Sequence, residues 1–377
     1  MGSSAELAAL SEVTDDDVFR AFGSYGEARA DFKVRASDLG ARLHSYHHPE
    51  FPDLSTDIAV LGPENTSAVL FVVSGTHGIE GHAGSAIQRK YMHQFADANI
   101  GVVLVHALNP YGFEYDRRVN EDNVDINRNF QTFTDLPANV EYRELHDLLV
   151  PLDWSGPEHE RAQQKLITAL SEHGLEWIQT AITRGQHEYT DGLFFGGMTP
   201  TWSNETLRQI VREHVAGARH VGYIDLHTGL GDRAAGETIF RGGDDSDAFA
   251  RAVTWYGSEV TSSDDKTSSS TPIEGNSARA VIGELSDDVL ITAITLEFGT
   301  QDGATVLAAL QGDNWFALEG RRGDARYEEV RGKMFDAFAP SDVEWREKVL
   351  QRGGQVLEQA CAGLRMAAGI DSAVRAG

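Results

Sequence analysis

Cysteine is almost absent from this sequence: Cys361 is the only one among 377 residues. A single thiol excludes an intrachain disulfide, and with it the small stapled scaffold of many secreted modules. Positive charge is also scarce. Lys and Arg number 32 against 58 Asp and Glu, a formal net charge of −26. A surface this negative repels phosphate backbones and anionic bilayers, so nucleic acid and membrane are not expected as partners. No apolar run approaches the roughly 20 residues of a membrane span. The opening stretch MGSSAELAALSEVTDDDVF lacks the basic segment followed by an apolar run that marks a secretory signal. A cytoplasmic protein is the expectation. Hydrophobic residues still make up 41% of the chain, enough to bury a core.

Several short runs read as strands, and 69–74 is almost continuously apolar, as in a strand covered on both faces. The runs lie at 57–61, 69–74, 101–107, 221–226 and 290–296. Helical patterns occupy 82–95, 162–183, 205–216 and most of the chain from about 304 onward, and 5–45 reads as polar, peripheral helix. This alternation predicts an α/β fold: three layers, α/β/α, around a mixed, mostly parallel twisted sheet. One domain is expected over 1–377. It has peripheral helices over about 1–45, an inserted helical and Gly/aromatic segment over about 135–204, and a helical C-terminal region over about 304–377. The Ser/Thr/Asp/Gly-rich stretch 258–279 is either a surface loop or a lid. The sequence does not reveal the oligomeric state.

Open α/β sheets gather ligands beyond the carboxyl ends of their strands. Polar clusters follow Ser74, Leu226 and Leu296 at such ends. In the first, SGTHGIEGH, His77 and Glu80 lie three apart in a glycine-rich turn. Such a turn can aim imidazole and carboxylate at one cation, or be a hydrogen-bonded polar turn. His82 competes as a ligand, but its place at a helix start should turn it away. The second cluster offers His227, a third ligand or a satisfied core histidine, with Asp225 two residues earlier on the same strand face. The third offers Glu297, a general base beside an activated water or one half of a structural ion pair. Arg117, Arg118 and Arg128 crowd the loop 109–130 together with Asn120, Asn127 and Asn129. Arginine forks suit carboxylates and developing oxyanions, yet Glu121, Asp122 and Asp125 are near enough to pair with them instead.

Taken together, the chain resembles the M14 zinc carboxypeptidase superfamily. The resemblance rests on His77-x-x-Glu80, Asn109-Pro110, Arg118, the string Asp125-Ile126-Asn127-Arg128-Asn129-Phe130, His227 and Glu297, in that order. It implies a zinc carboxypeptidase-like fold and one zinc ion per chain on His77, Glu80 and His227. It also implies Glu297 as the base that activates water, and Arg118 as the group that polarises the scissile carbonyl, with Arg117 as fallback. Asn127 and Arg128 would hold a substrate carboxylate. The implied substrate is a small peptide or an N-acyl amino acid, cleaved at an amide bond next to a free carboxylate. Carboxypeptidases of this superfamily carry a tyrosine before the catalytic glutamate, and none lies between Tyr256 and Glu297. The turns around His77 and His227 are similar to the aspartoacylase and succinylglutamate desuccinylase branch. The segment 185–204 resembles the DUF2817 group, and its His187, Tyr189 and Phe195 are candidates to shape a pocket. A zinc-holding protein without catalysis is the alternative of another kind.

Overall fold

The computed structural model describes residues 21–96, 98–265, 267–318 and 323–369. Eight strands form one sheet. They are β1 (Arg42–His47), β2 (Ser55–Leu61), β3 (Ala68–Ser74), β4 (Gly101–His106), β5 (His220–Arg233), β6 (Glu237–Phe240), β7 (Thr261–Ser262) and β8 (Leu290–Gly299). Their order across the sheet is β1-β2-β4-β3-β5-β8-β6-β7. The middle four, β4-β3-β5-β8, run parallel. Antiparallel pairing joins β1 to β2, β2 to β4 and β6 to β8.

The apolar runs explain the layers. Side chains alternate across a strand. Leu70 and Val72 of β3 therefore enter one core, and Val69, Phe71 and Val73 enter the other. The first core is closed by helices Tyr25–Asp38, Gly81–Tyr91, Ser246–Tyr256 and Val343–Ala367, through Phe32, Ile87, Trp255 and Leu357 among others. The second is closed by helices Trp202–His214 and Ser277–Glu284, through Leu207, Ile210 and Val281. The result is the three-layer α/β/α arrangement around a mixed sheet. A third cluster joins Ile79 to Tyr142, Leu145, Ile182 and Phe338. It comes from helices Val140–Leu149, Leu175–Thr183 and Ala325–Phe338.

Three local readings differ from the sequence pattern. Residues 42–45, the end of the expected N-terminal helical region, belong to the edge strand β1. Its burial is low and irregular because only one side of it is paired, so its sequence carries no apolar stripe. The part of that region before residue 21 lies outside the described residues. The expected helix 162–183 is two helices, Pro157–His173 and Leu175–Thr183, divided at Gly174, whose φ of 84° no helix accommodates. Strands β5 and β8 run on to Arg233 and Gly299, so His227 and Glu297 sit within strands rather than after them.

Candidate metal centre

The site grows from the ends of β3, β5 and β8. After Ser74 the chain makes a tight turn into the helix Gly81–Tyr91. Gly75 takes φ 65°, which favours glycine. A Cβ on Gly78 would lie 1.9 Å from the Gly112 carbonyl carbon, so only glycine fits there. Backbone bonds from Gly78 N to Arg118 O (3.1 Å) and from Ile79 N to Arg117 O (2.8 Å) pin this turn to the arginine-bearing loop.

Held this way, His77 and Glu80 meet His227. His77 Nδ1 is 2.8 Å from Glu80 Oε1, and His227 Nδ1 is 3.0 Å from Glu80 Oε2. The two Nδ1 atoms lie 3.2 Å apart. All three side chains are buried, and their ligand atoms fall within 4.8 Å of one another. The outer ring nitrogens face carboxylates. His77 Nε2 bonds Asp125 Oδ1 at 3.1 Å. His227 Nε2 is 2.9 Å from Asp225 Oδ2, a close ion pair off the hydrogen-bond line. A carboxylate on the outer nitrogen favours a proton there and leaves the inner nitrogen a lone pair. Two lone pairs and a carboxylate then converge on one point, which suits a cation. Two imidazoles with one carboxylate fit zinc well and leave a coordination position open.

Asp225 also accepts from Thr76 Oγ1 (2.8 Å) and from the Ser277 hydroxyl. Burial works against its charge, but His227 and these donors hold its pKa below the ordinary value. Burial likewise opposes ionisation of Asp125, yet Arg118 and His77 hold it well below the usual range. Glu80 is held low by His77 and His227 despite complete burial. It accepts a further bond from Thr228 N at 3.0 Å.

Glu297 is different. It stands opposite His227 in the parallel β5–β8 register, where neighbouring strands lie about 4.8 Å apart. Leu230 N–H donates to its Oε1 at 3.1 Å. Burial first, and then the Glu80 carboxylate, push its pKa up from 4.5 to about 8. A folded pKa above the unfolded value contributes stability below pH 4.5, and this is lost as pH rises through about 8. Glutamine does not titrate. The metal-free Glu297→Gln chain is therefore expected to match the metal-free parent at pH 4 and to exceed it at pH 9 by roughly 3–5 kcal/mol. Thermal melts at the two pH values measure this; equal melts at pH 9 would show that Glu297 is not desolvated.

Arg118 reaches the cluster. Its Nη1 donates to Glu80 Oε1 at 3.1 Å and its Nε to Asp125 Oδ2 at 3.0 Å. Arg117, its neighbour, turns the other way and pairs with Asp313 Oδ2 at 2.9 Å among buried atoms. Arg117, the expected fallback for Arg118, is thus held by Asp313 and Asn123 rather than by Glu80 and Asp125. Arg128 is buried and hydrogen-bonded to the backbone oxygens of Thr183 and Asn127. Burial lowers its pKa to about 10. Asn127 Oδ1 accepts from Ser277 N at 2.9 Å, which leaves its amide N–H groups to donate elsewhere. His82 faces away, bonded to Asp116 and to Gly23 O.

Asp125 as the outer partner of His77 is a role the residue string did not reveal, because its nearest sequence neighbours offered arginines to pair with. In the 185–204 segment the aromatic at the site is Phe194, whose ring lies under Arg118 (5.2 Å) and Arg128 (5.5 Å). His187 bonds Gly197 O, and Tyr189 stacks on His146.

Fold and site together define an α/β/α protein with a buried His-Glu-His cluster at the carboxyl ends of its parallel strands. The chain belongs to the DUF2817 family, described as a protein family of unknown function, whose model matches residues 22–352. Its fold is similar to that of a carboxypeptidase A from Helicoverpa armigera, with 14% identity over 89% of this chain and 79% of that one and a TM-score of 0.49. It is similar to thrombin activatable fibrinolysis inhibitor, with 12% identity over 91% and 78% of the two chains and a TM-score of 0.47. A succinylglutamate desuccinylase from Chromobacterium violaceum shares 16% identity over 77% and 72%, with a TM-score of 0.34. No curated protein matches the chain. No helix among the described residues is long and apolar enough to cross a membrane.

Proposed function

We propose that this chain is a zinc-dependent hydrolase that cleaves an amide bond next to a free carboxylate. The observation that carries the reading is the pairing of His227 with Glu297 across β5 and β8, which sets a buried carboxyl beside the His-Glu-His cluster. His77 Nδ1, a Glu80 oxygen and His227 Nδ1 would hold the ion. Zinc, when bound, supplies Lewis acidity that makes water a nucleophile near neutral pH.

The chain's own residues do the rest. Leu230 N–H occupies Glu297 Oε1, so Oε2 is the oxygen left to take a proton from the attacking water and return it to the leaving amine. Arg118, fixed by Glu80 and Asp125 through Nη1 and Nε, has Nη2 to offer to the charge growing on the carbonyl oxygen. Arg128 and the Asn127 amide would hold the substrate carboxylate. Arg128 is braced against Thr183 O and Phe194 and keeps donors beyond those already used.

Arg118→Ala is expected to lower kcat about 10²–10³-fold, the usual loss for one oxyanion donor. Arg128→Ala is expected to act mainly on KM, and only for substrates with a free carboxylate. A steady-state comparison of zinc-loaded variants on short peptides and N-acyl amino acids reads both effects. The same panel divides the exopeptidase reading from a small-molecule amidohydrolase. The absence of a tyrosine between Tyr256 and Glu297 favours the latter's shorter substrates. If no amide is hydrolysed by the zinc-loaded chain, the alternative of a zinc-holding protein without catalysis takes its place.

A further inference from the structure

The arginines of this acidic chain are mostly paired. Arg89 pairs with Asp31, Arg117 with Asp313, Arg118 with Glu80 and Asp125, and Arg208 with Glu284. Arg241 is an exception. It follows β6, and its backbone N donates to Ala293 O at 2.9 Å. Its side chain folds over β8, where Nε donates to Thr295 Oγ1 at 3.1 Å. Nη1 donates to Ser263 Oγ at 3.1 Å and Nη2 to Ser270 Oγ at 3.2 Å. All three acceptors are buried hydroxyls. None carries charge, and among the described residues no carboxylate oxygen comes within 4.0 Å of this guanidinium; Glu297, Asp264, Asp225 and Glu237 act on it only from beyond contact distance. Arginine stays protonated in proteins. A cation taken partly out of water and given only neutral acceptors is costly unless an anion reaches it.

Arg241 lines a cavity of about 560 Å³, within the range of small-molecule sites. Phe130, Phe240 and Ile273 give it an apolar wall. Arg208 also borders it but is occupied by Glu284. Asp264, an exposed carboxylate on the same rim, opposes an incoming anion, while Arg279 on the same lining adds a second positive charge. None of the proposed metal or catalytic residues lines the cavity, but it shares elements with their site, and Glu297 is the carboxylate that acts most strongly on Arg241. Thr295, which holds Arg241, lies two residues before Glu297 on the same face of β8. Phe130 N bonds Gly275 O, and the neighbouring Ser277 N bonds Asn127 Oδ1. The loops that shape the cavity are thus the ones that position the proposed carboxylate grip.

We infer that Arg241 is the anion-binding residue of a side pocket of this site, so that preferred substrates carry an acidic side chain next to the scissile amide. The word substrate rests on the hydrolase reading; the anion pocket does not. The hydroxyls orient the guanidinium so that a second N–H on each Nη remains for a bidentate carboxylate. The apolar wall takes the methylene groups that carry it.

The test compares two nearly isosteric probes, N-benzoyl-Gly-Glu and N-benzoyl-Gly-Gln. Calorimetric titration into the zinc-loaded, full-length Glu297→Gln chain is expected to show the Glu probe at least tenfold tighter. Adding Arg241→Gln should remove that preference, and Arg241→Lys should keep part of it. Equal affinities for the two probes, or a preference that survives Arg241→Gln, would overturn the inference. Turnover of both probes by the unmutated chain separates this failure from that of the hydrolase reading. Hydrolysis of both at equal kcat/KM sinks the acidic pocket alone. Charge-dependent binding without hydrolysis keeps the pocket and sinks the hydrolase.

Discussion

Replacing Glu297 with Gln is expected to leave one zinc ion bound per chain while lowering turnover by about 10²–10⁴-fold, the usual contribution of a positioned general base. The substitution keeps the size of the side chain and one oxygen for the Leu230 N–H bond, so the local structure should hold. What it removes is the proton acceptor. Glu297 is not among the three residues whose ligand atoms converge, so the metal should not be lost with it. Metal analysis beside an amide-hydrolysis assay measures both halves. A fully active Glu297→Gln chain would remove Glu297 from the chemistry. Loss of zinc together with activity would make it a ligand instead.

His227→Ala is expected to have the largest effect on the metal itself. His227 supplies one of the three converging atoms and also contacts Glu80 at 3.0 Å, so its loss opens the cluster on the β5 side. Zinc affinity should fall by more than the roughly 10–100-fold typical of losing an outer partner. Asp225→Asn provides that internal comparison. It keeps the volume next to His227 Nε2 but removes the charge 2.9 Å away, and should cost about 10–100-fold in zinc affinity. Competition titrations with a chelator rank the three chains. An unchanged affinity in His227→Ala would show that the ion sits elsewhere.

The parallel centre of the sheet could be read from sequence because β3 and β4 are nearly continuous apolar runs and the first half of β5 carries Val221, Tyr223 and Ile224. The second half of β5 could not. His227 and Thr228 interrupt the run where the site begins, and a strand is recognised from the sequence by the side chains that chemistry replaces here. The same holds for Glu297 in β8. Convergence of His77, Glu80 and His227 was suggested by strand ends that share a sheet edge, since the order β3-β5-β8 puts them side by side. The separation of Arg117 from Arg118 was not legible. Adjacent residues in a loop point in directions set by the turn, and only the bonds from Gly78 and Ile79 to this pair fix which guanidinium faces the cluster. Arg241 was invisible for a further reason: it follows directly on a four-residue strand, β6, whose short pattern does not stand out from the polar stretch around it.

The measurement closest to the central claim is anomalous diffraction at the zinc edge from crystals of the zinc-loaded chain. One peak is expected, at about 2.0–2.2 Å from His77 Nδ1, a Glu80 oxygen and His227 Nδ1. A peak at another place on the molecule, or none after loading, would contradict it.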